Sequence, residues 1–166
     1  MRRATLWIPL LIAALTFALW ALLNRPTEEP PWPAQIQGFS FAPMRAYNDP
    51  TVGNYPSILD IDADLALLQG DVHAVRTYEV RDTIGEVPRL AAAHGLNVTI
   101  GAWLDTDTEA NAEEIERLLE ILREGHRNIV RVMVGNEVLL RDDMTVAELM
   151  DTLDLVRKNT YLPVST

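Results

Sequence analysis

The stretch "NIVRVMVGNEV", residues 128–138, decides the fold of this chain. It begins as a run of apolar and β-branched residues, which is typical of a strand buried in a parallel sheet. Gly135 ends the run, and an amide and a carboxylate, Asn136 and Glu137, follow it directly. Thr145 then opens a capping-box pattern before the next apolar helical stretch. We therefore expect a buried strand, a tight turn that carries two polar side chains, and a helix.

The same strand–turn–helix pattern recurs from residue 38 onward. The predicted strands are "GFSFAPM" (38–44), "AVRTYEV" (74–80), "NVTIGAWL" (97–104), "NIVRVMVGNEV" (128–138) and "LPVST" (162–166). Each predicted helix has a capping-box-like start, at Ser57, Thr83, Thr106 and Thr145. Their predicted inward faces are Ile58, Ile61, Leu65 and Leu68; Val87, Leu90 and Ala91; Ile115, Leu118, Leu119 and Leu122; and Val146, Leu149, Leu153 and Val156.

Strands that alternate with helices at this spacing predict an α/β fold with a parallel sheet. An open doubly wound sheet and a closed (β/α)8 TIM barrel both begin this way, but the glycine fingerprint of dinucleotide-binding sheets is missing after the first strand. A barrel needs about 250 residues, whereas residues 38–166 hold four βα units and strand five. We therefore expect the N-terminal half of a barrel, whose C-terminal half is missing from this sequence. Closure of one barrel by two copies is the less favoured alternative.

The N-terminal stretch, residues 5–23, is uncharged and follows Arg2 and Arg3. About twenty apolar residues cross a bilayer as a helix, and basic residues in front of them hold that end in the cytoplasm. No small-x-small cleavage site follows Leu23. We therefore expect an uncleaved transmembrane signal anchor over residues 1–24, with a cleaved signal peptide as the alternative.

Residues 25–36 are rich in proline, which favours an extended linker. The expected organisation is thus an anchor (1–24), a proline-rich linker (25–36) and a folded domain (37–166).

The composition excludes several classes of function. The net charge is −10, with 14 basic and 24 acidic side chains, which argues against binding to nucleic acid. There is no cysteine, so disulfides and thiolate metal sites are excluded. The three histidines lack the spacing of metal ligands, and no cofactor motif is present. We expect neither a metal nor a cofactor.

Asn136 and Glu137 point to the chemistry, because residues at the C-terminal ends of barrel strands face the active site. A carboxyl group half buried there would be protonated near neutral pH and could give a proton to a leaving oxygen. The neighbouring amide could donate a hydrogen bond to a sugar hydroxyl. These two roles are those that glycoside hydrolysis requires.

The motif "VMVGNEVLLR" resembles glycoside hydrolase family 17, whose members act on β-1,3-glucans. The similarity is closest to the bacterial membrane-associated branch of β-1,3-glucosyltransferases and β-1,3-glucanases, and it covers residues 38–166. Further segments carry it: "GFSFAPMRAYNDPTVGNYPS", "VRTYEV", "AAAHGLNVTIGAW" and "PVST".

The resemblance implies a retaining mechanism on a β-1,3-glucan polysaccharide or oligosaccharide. Glu137 would be the general acid/base, and Asn136 would bind the sugar in the cleaved subsite. The family's nucleophile is a glutamate after strand seven, which this sequence does not reach, so we expect the isolated chain to lack normal activity. The resemblance also implies a bacterial inner-membrane protein whose domain faces the periplasm.

Four further side chains are candidates for substrate binding. Arg76 and Tyr78 match the family's Arg-x-Tyr and would steady the carboxylates and line the sugar site. Trp103 and Phe41 would stack on glucose rings. The alternative for all four is packing or charge compensation within the fold. For Asp105, an ordinary acidic helix start is the favoured interpretation.

Two other functions stay open at this point. The chain could be a non-catalytic glucan-binding or relic protein anchored in the membrane. It could also be a different barrel enzyme, such as a lyase or aldolase, which would require a phosphate or metal site. Fold alone does not separate these possibilities, because barrels support many chemistries.

Overall fold

The computed structural model describes residues 4–166. The chain divides into two compact units, Met1–Pro33 and Ala34–Thr166. In the first unit, the apolar stretch forms helix α1, Ala4–Leu23. Within residues 4–166, however, no helix reaches the apolar length needed to cross a membrane. The predicted transmembrane anchor is therefore not supported, and its two basic residues, Arg2 and Arg3, lie outside the described residues.

The second unit contains one parallel sheet. Its strands are β1 (Phe39–Ser40), β2 (Ala74–Arg76), β3 (Asn97–Ala102), β4 (Ile129–Val134) and β5 (Val164–Ser165). They lie in sequence order, and each pairs in parallel with the next. This order confirms the parallel α/β fold and excludes the doubly wound alternative, in which the strand order reverses within the sheet.

Four α-helices connect the strands: α2 (Ile58–Leu68), α3 (Val87–Ala93), α4 (Thr108–Arg123) and α5 (Val146–Lys158). Short 3₁₀ helices occupy Pro50–Val52 and Asp82–Glu86. Two predicted helix starts are confirmed. The Ser57 side chain accepts a hydrogen bond from the amide of Asp60, and Thr145 forms a complete capping box with Glu148.

The other two helix starts were placed wrongly. Helix α4 is capped by Asp107, one residue after the predicted Thr106, because its carboxylate accepts the free amides of the first turn. Thr83 lies inside a 3₁₀ helix and caps nothing. Helix α3 begins only at Val87, where Pro88 at the second position favours a new helix start.

The hydrophobic core lies between the sheet and the helices. Most residues predicted to face inward are buried: Ile61, Leu65, Val87, Leu90, Ala91, Ile115, Leu118, Leu119, Leu149, Leu153 and Val156. Ile58 and Val146 are 40% and 64% exposed. Each is the first residue of its helix, where the chain has not yet turned onto the sheet.

Because all strands are parallel, the segments that follow β2, β3 and β4 meet at one edge of the sheet. The strands themselves are shorter than predicted, since β2 ends at Arg76 and β4 ends at Val134. Beyond β2 the Thr77 hydroxyl accepts the amide of Gly101 at 3.0 Å. A side chain at Gly101 would collide with the backbone of Thr77. This close approach brings the ends of β2 and β3 together.

Candidate active site

The turn after β4 holds a glutamate in an unfavourable backbone conformation. Gly135 and Glu137 have φ angles of +75° and +56°. Glycine adopts such angles freely, whereas an L side chain there costs roughly 1–3 kcal/mol. The Glu137 side chain is exposed, so the half-buried position expected for it is wrong. The turn lies beyond the end of the sheet, where the described residues do not cover it.

Asn136, Glu137 and Arg76 line one cleft of about 420 Å³. Nη2 of Arg76 donates a hydrogen bond to Oδ1 of Asn136 at 3.0 Å. This bond uses the amide oxygen and so orients the amide nitrogen as a donor. The structure thus brings together three of the residues predicted from the sequence, two from the end of β4 and one from β2.

Tyr78 lies beside Arg76. Its hydroxyl donates to Oγ of Ser40 at 2.9 Å, and the Arg76 guanidinium lies 4.9 Å from the centre of its ring. Nε of Arg76 is buried and has no hydrogen-bond partner among the described residues. A buried donor without a partner is unfavourable by about 1–3 kcal/mol.

The two aromatic candidates for sugar stacking are placed differently. The Arg141 guanidinium lies 4.3 Å from the centre of the Trp103 ring and covers one of its faces. Phe41 is 8% exposed and belongs to the hydrophobic core, which leaves it no face for a sugar. Asp105 accepts the amide of Asp107 at 2.7 Å, in the turn that opens α4.

Two charged residues in this region were missed in the sequence. The first is Arg141, whose guanidinium donates to the carbonyl oxygens of Asn136 and Leu104 and to the carboxylate of Asp143. These partners come from the ends of two different strands. No local pattern marks such a residue, because Leu104 lies 37 positions earlier in the chain.

The second is Glu114, on α4, whose side chain is fully buried. Its Oε1 accepts the backbone amides of Val80 at 2.8 Å and Trp103 at 3.0 Å. Its Oε2 lies 3.4 Å from Nε of Arg81. Burial is the main reason that the pKa of this carboxyl rises from 4.5 to about 7. The sequence did hold a signal, because Glu114 occupies an inward position of α4, one turn before the buried Leu118.

Glu79 and Tyr55 form a smaller cluster beside Glu114. The Tyr55 hydroxyl donates to Glu79 at 3.1 Å. Burial raises the pKa of Glu79, and burial next to this carboxylate raises the pKa of Tyr55 to about 12. Glu79 does not line the cleft. Among the described residues, Glu137 provides the only acidic side chain that does. Residues 4–166 also contain no cluster of three or more side chains able to hold a metal ion.

Residues 38–163 match a family model described as the BtgE/BtgC glycoside hydrolase domain. Two curated relatives are also similar. A glucan 1,3-beta-glucosidase, BGL2, from Candida albicans is 27% identical over 108 residues, which cover 63% of this chain and 35% of that protein. A glucan endo-1,3-beta-glucosidase, btgC, from Emericella nidulans is 28% identical over 115 residues, covering 63% of this chain and 18% of that protein. The chain thus spans about a third or less of the length of these relatives.

Two solved structures share the fold. Both are of a β-1,3-glucanosyltransferase from Rhizomucor miehei, one of them described as a member of glycoside hydrolase family 17. The other is an active-site mutant in complex with laminaritriose. Each has a TM-score of 0.63 and 21% sequence identity, and the match covers 74% of this chain and 44% of that chain.

Proposed function

Because this chain belongs to the BtgE/BtgC glycoside hydrolase domain family, we propose that it is part of a retaining enzyme that cleaves or transfers β-1,3-glucan chains. The observation that carries the proposal is the cleft in which Glu137, Asn136 and Arg76 meet. The relatives named as glucan 1,3-beta-glucosidases and the neighbour that binds laminaritriose support the choice of substrate.

In this proposal Glu137 is the general acid/base. Its exposed carboxyl donates a proton to the glycosidic oxygen of the leaving sugar and later accepts one from the attacking hydroxyl. The Asn136 amide, oriented by Arg76, donates a hydrogen bond to the sugar hydroxyl beside the reacting carbon. Water as the acceptor gives hydrolysis, and a second sugar gives transfer.

Retaining chemistry also requires a nucleophilic carboxylate about 5–5.5 Å from the acid/base. Since Glu137 has the only acidic side chain that lines the cleft among the described residues, we propose that the nucleophile comes from further βα units. Those units would pair with the free sides of β1 and β5 and complete a (β/α)8 barrel. The 166-residue chain alone is then expected to lack normal turnover.

A second candidate function is glucan binding without catalysis. The single acidic side chain in the cleft favours it, because binding needs no nucleophile. Binding of laminari-oligosaccharides without any turnover in the complete gene product, lost on Tyr78→Ala, would support this candidate instead.

The proposed catalytic function is tested with Glu137→Gln in the complete gene product. We expect cleavage of laminari-oligosaccharides to fall about 10²–10⁴-fold, because the leaving sugar needs a proton. Glycosyl-enzyme formation from an aryl glucoside with an activated leaving group should be spared, because that leaving group needs none.

The matched control is Glu116→Gln, which alters an exposed glutamate of α4 away from this cleft. Equal losses on both classes of substrate would overturn the acid/base role of Glu137.

The predicted location, a bacterial inner membrane with the domain in the periplasm, remains a separate proposal. It rests on the basic residues that precede the apolar N-terminal stretch and on the resemblance to the bacterial membrane-associated branch. Cell fractionation with protease accessibility would test it, and a protein found in the cytosolic fraction would contradict it.

A further inference from the structure

Arg141 uses all three of its guanidinium nitrogens at the edge of the sheet. Nη1 donates to the carbonyl oxygen of Asn136, Nη2 to that of Leu104 at 2.7 Å, and Nε to the Asp143 carboxylate at 2.6 Å. The flat guanidinium also covers the Trp103 ring. One side chain therefore joins the segment after β3 to the segment after β4.

Arg141 also holds both peptide groups that flank Glu137. Its guanidinium binds the carbonyl oxygen of Asn136, which belongs to the peptide just before Glu137. Its own backbone amide donates to the carbonyl oxygen of Glu137 at 2.9 Å. The orientations of these two peptides define the φ and ψ angles of Glu137. A left-handed conformation persists in a residue other than glycine only where the surroundings hold it in this way.

We propose that Arg141 is a positioning residue, which keeps Glu137 in its left-handed conformation so that its carboxyl lines the cleft. The inference rests on the proposed function for its catalytic consequence, but the conformational part stands on these contacts alone. Through Leu104 and Trp103, Arg141 also fixes the turn relative to β3.

The geometry requires arginine in particular. A planar guanidinium reaches two carbonyl oxygens and stacks on an indole at the same time, whereas a lysine ammonium is a single point of charge. The Asp143 carboxylate accepts a hydrogen bond from Nε and so fixes the orientation of the guanidinium plane. Arg141→Lys is therefore expected to hold the Glu137 turn only in part, and Arg141→Gln is expected not to hold it at all.

The experiment uses Arg141→Gln in the full chain and follows hydrogen exchange of the amides of residues 141 and 143, which close the turn onto Glu137 and Val138. We expect both amides to exchange at least about tenfold faster, while amides within β3 and β4 keep their rates. Trp103 fluorescence gives a second signal. With Trp7, Trp20 and Trp32 replaced by Phe it is the only tryptophan, and its emission should change when the guanidinium leaves the ring.

The same measurement in a Glu137→Gly background separates positioning from general stabilisation. Glycine adopts a positive φ without strain, so Arg141→Gln should then accelerate exchange at residue 143 by less than about threefold. A general stabilising role would give the same acceleration in both backgrounds, and that result would overturn the proposal. So would unchanged exchange and fluorescence in Arg141→Gln.

Arg45→Gln is the matched control. Its side chain is 33% exposed, against 27% for Arg141, but its partner is Asp64 on α2 and not a residue of the turn. It should leave exchange at residues 141 and 143 unchanged. If Arg141→Gln does not fold, Arg141→Lys replaces it, with an expected intermediate acceleration, and wild-type exchange rates in that variant would overturn the proposal.

Activity provides the last measurement. In the complete gene product, Arg141→Gln should lower kcat at least about tenfold on laminari-oligosaccharides with little change in KM, since the proton donor is displaced while Arg76 still holds the Asn136 side chain. Added guanidinium ion, but not ammonium, should restore part of kcat in Arg141→Ala. If Glu137→Gln leaves cleavage intact, the proposed function fails, while the exchange data still decide whether Arg141 holds the turn.

Discussion

Glu137 and Glu114 lie near the same edge of the sheet but differ in exposure, in backbone conformation and in hydrogen bonding. Glu137 is exposed, sits on an irregular turn and has a positive φ. Glu114 is fully buried in the middle of a regular helix and accepts two backbone amides. Glu137 is accessible from solvent, whereas Glu114 contacts only other residues of the chain. A carboxylate in a glycosidase-like fold is therefore not a catalytic candidate merely because its pKa is raised.

Glu114 joins the segment that follows β2 to the segment that follows β3. Val80 and Trp103 follow β2 and β3, where the backbone ladder has already ended. The carboxylate of Glu114 accepts both amides and so replaces the missing ladder bonds. The pair with Arg81 compensates part of the cost of burying the charge.

The largest effect on stability is expected from Glu114→Leu. This change leaves two amides and Arg81 without their partner, and should lower the free energy of unfolding by about 3–5 kcal/mol. Glu114→Gln keeps an acceptor for both amides and should lie within about 1 kcal/mol of wild type at pH 7. Urea unfolding measures both, with the exposed Glu113→Gln as the control. A leucine variant as stable as wild type would show that Glu114 does not connect the strands.

The pH dependence of stability is the next largest effect. Because the folded pKa of Glu114 is about 7 and its ordinary value is 4.5, the native state keeps a proton that the unfolded chain has released. The stability from this group is fully present below pH 4.5 and falls as the pH rises to about 7, by no more than about 3 kcal/mol.

Glu114→Gln should remove most of that slope. A smaller slope of the same sign should remain, because the pKa of Glu79 is also raised. Unfolding curves at pH 5, 6, 7 and 8 measure it. A wild-type protein that gains stability over this range relative to Glu114→Gln would contradict the assignment.

The smallest effect is expected from Gly135→Ala, which tests the turn that carries Glu137. Alanine would adopt a φ of +75° and place its Cβ 3.1 Å from Cγ1 of Val138. We expect a loss of about 1–2 kcal/mol. Gly125→Ala is the control, since it has the same φ and no atom within 4 Å of the added Cβ. Equal losses would mean that packing against Val138 contributes nothing.

What the sequence predicted well is local. The capping residues Ser57 and Thr145 were identified because the cap and its partner are three residues apart. Asn136 and Glu137 were identified because they directly follow an apolar run. Residues 77–80 are predicted as strand because the apolar pattern continues through them, but β2 ends at Arg76. Beyond it, the side chains of Thr77 and Glu114 bind backbone amides of this region.

What the sequence did not predict depends on distant partners. Arg141 donates a hydrogen bond to the carbonyl oxygen of Leu104, 37 positions earlier. Glu114 accepts one from the amide of Val80, 34 positions earlier. Phe41 was expected in the sugar site but belongs to the core, because alternation along a strand does not show which face meets the helices. Such assignments need the pairing of β2, β3 and β4, which only the folded chain provides.

The sequential order of the strands has a consequence for synthesis on the ribosome. Every strand from β2 to β5 pairs with the one that was made just before it. Each of the strands β2 to β5 therefore finds its preceding neighbour already outside the exit tunnel. Folding can proceed as an addition of units from the N-terminal side, and the turn that carries Glu137 forms when its β2 and β3 neighbours are in place.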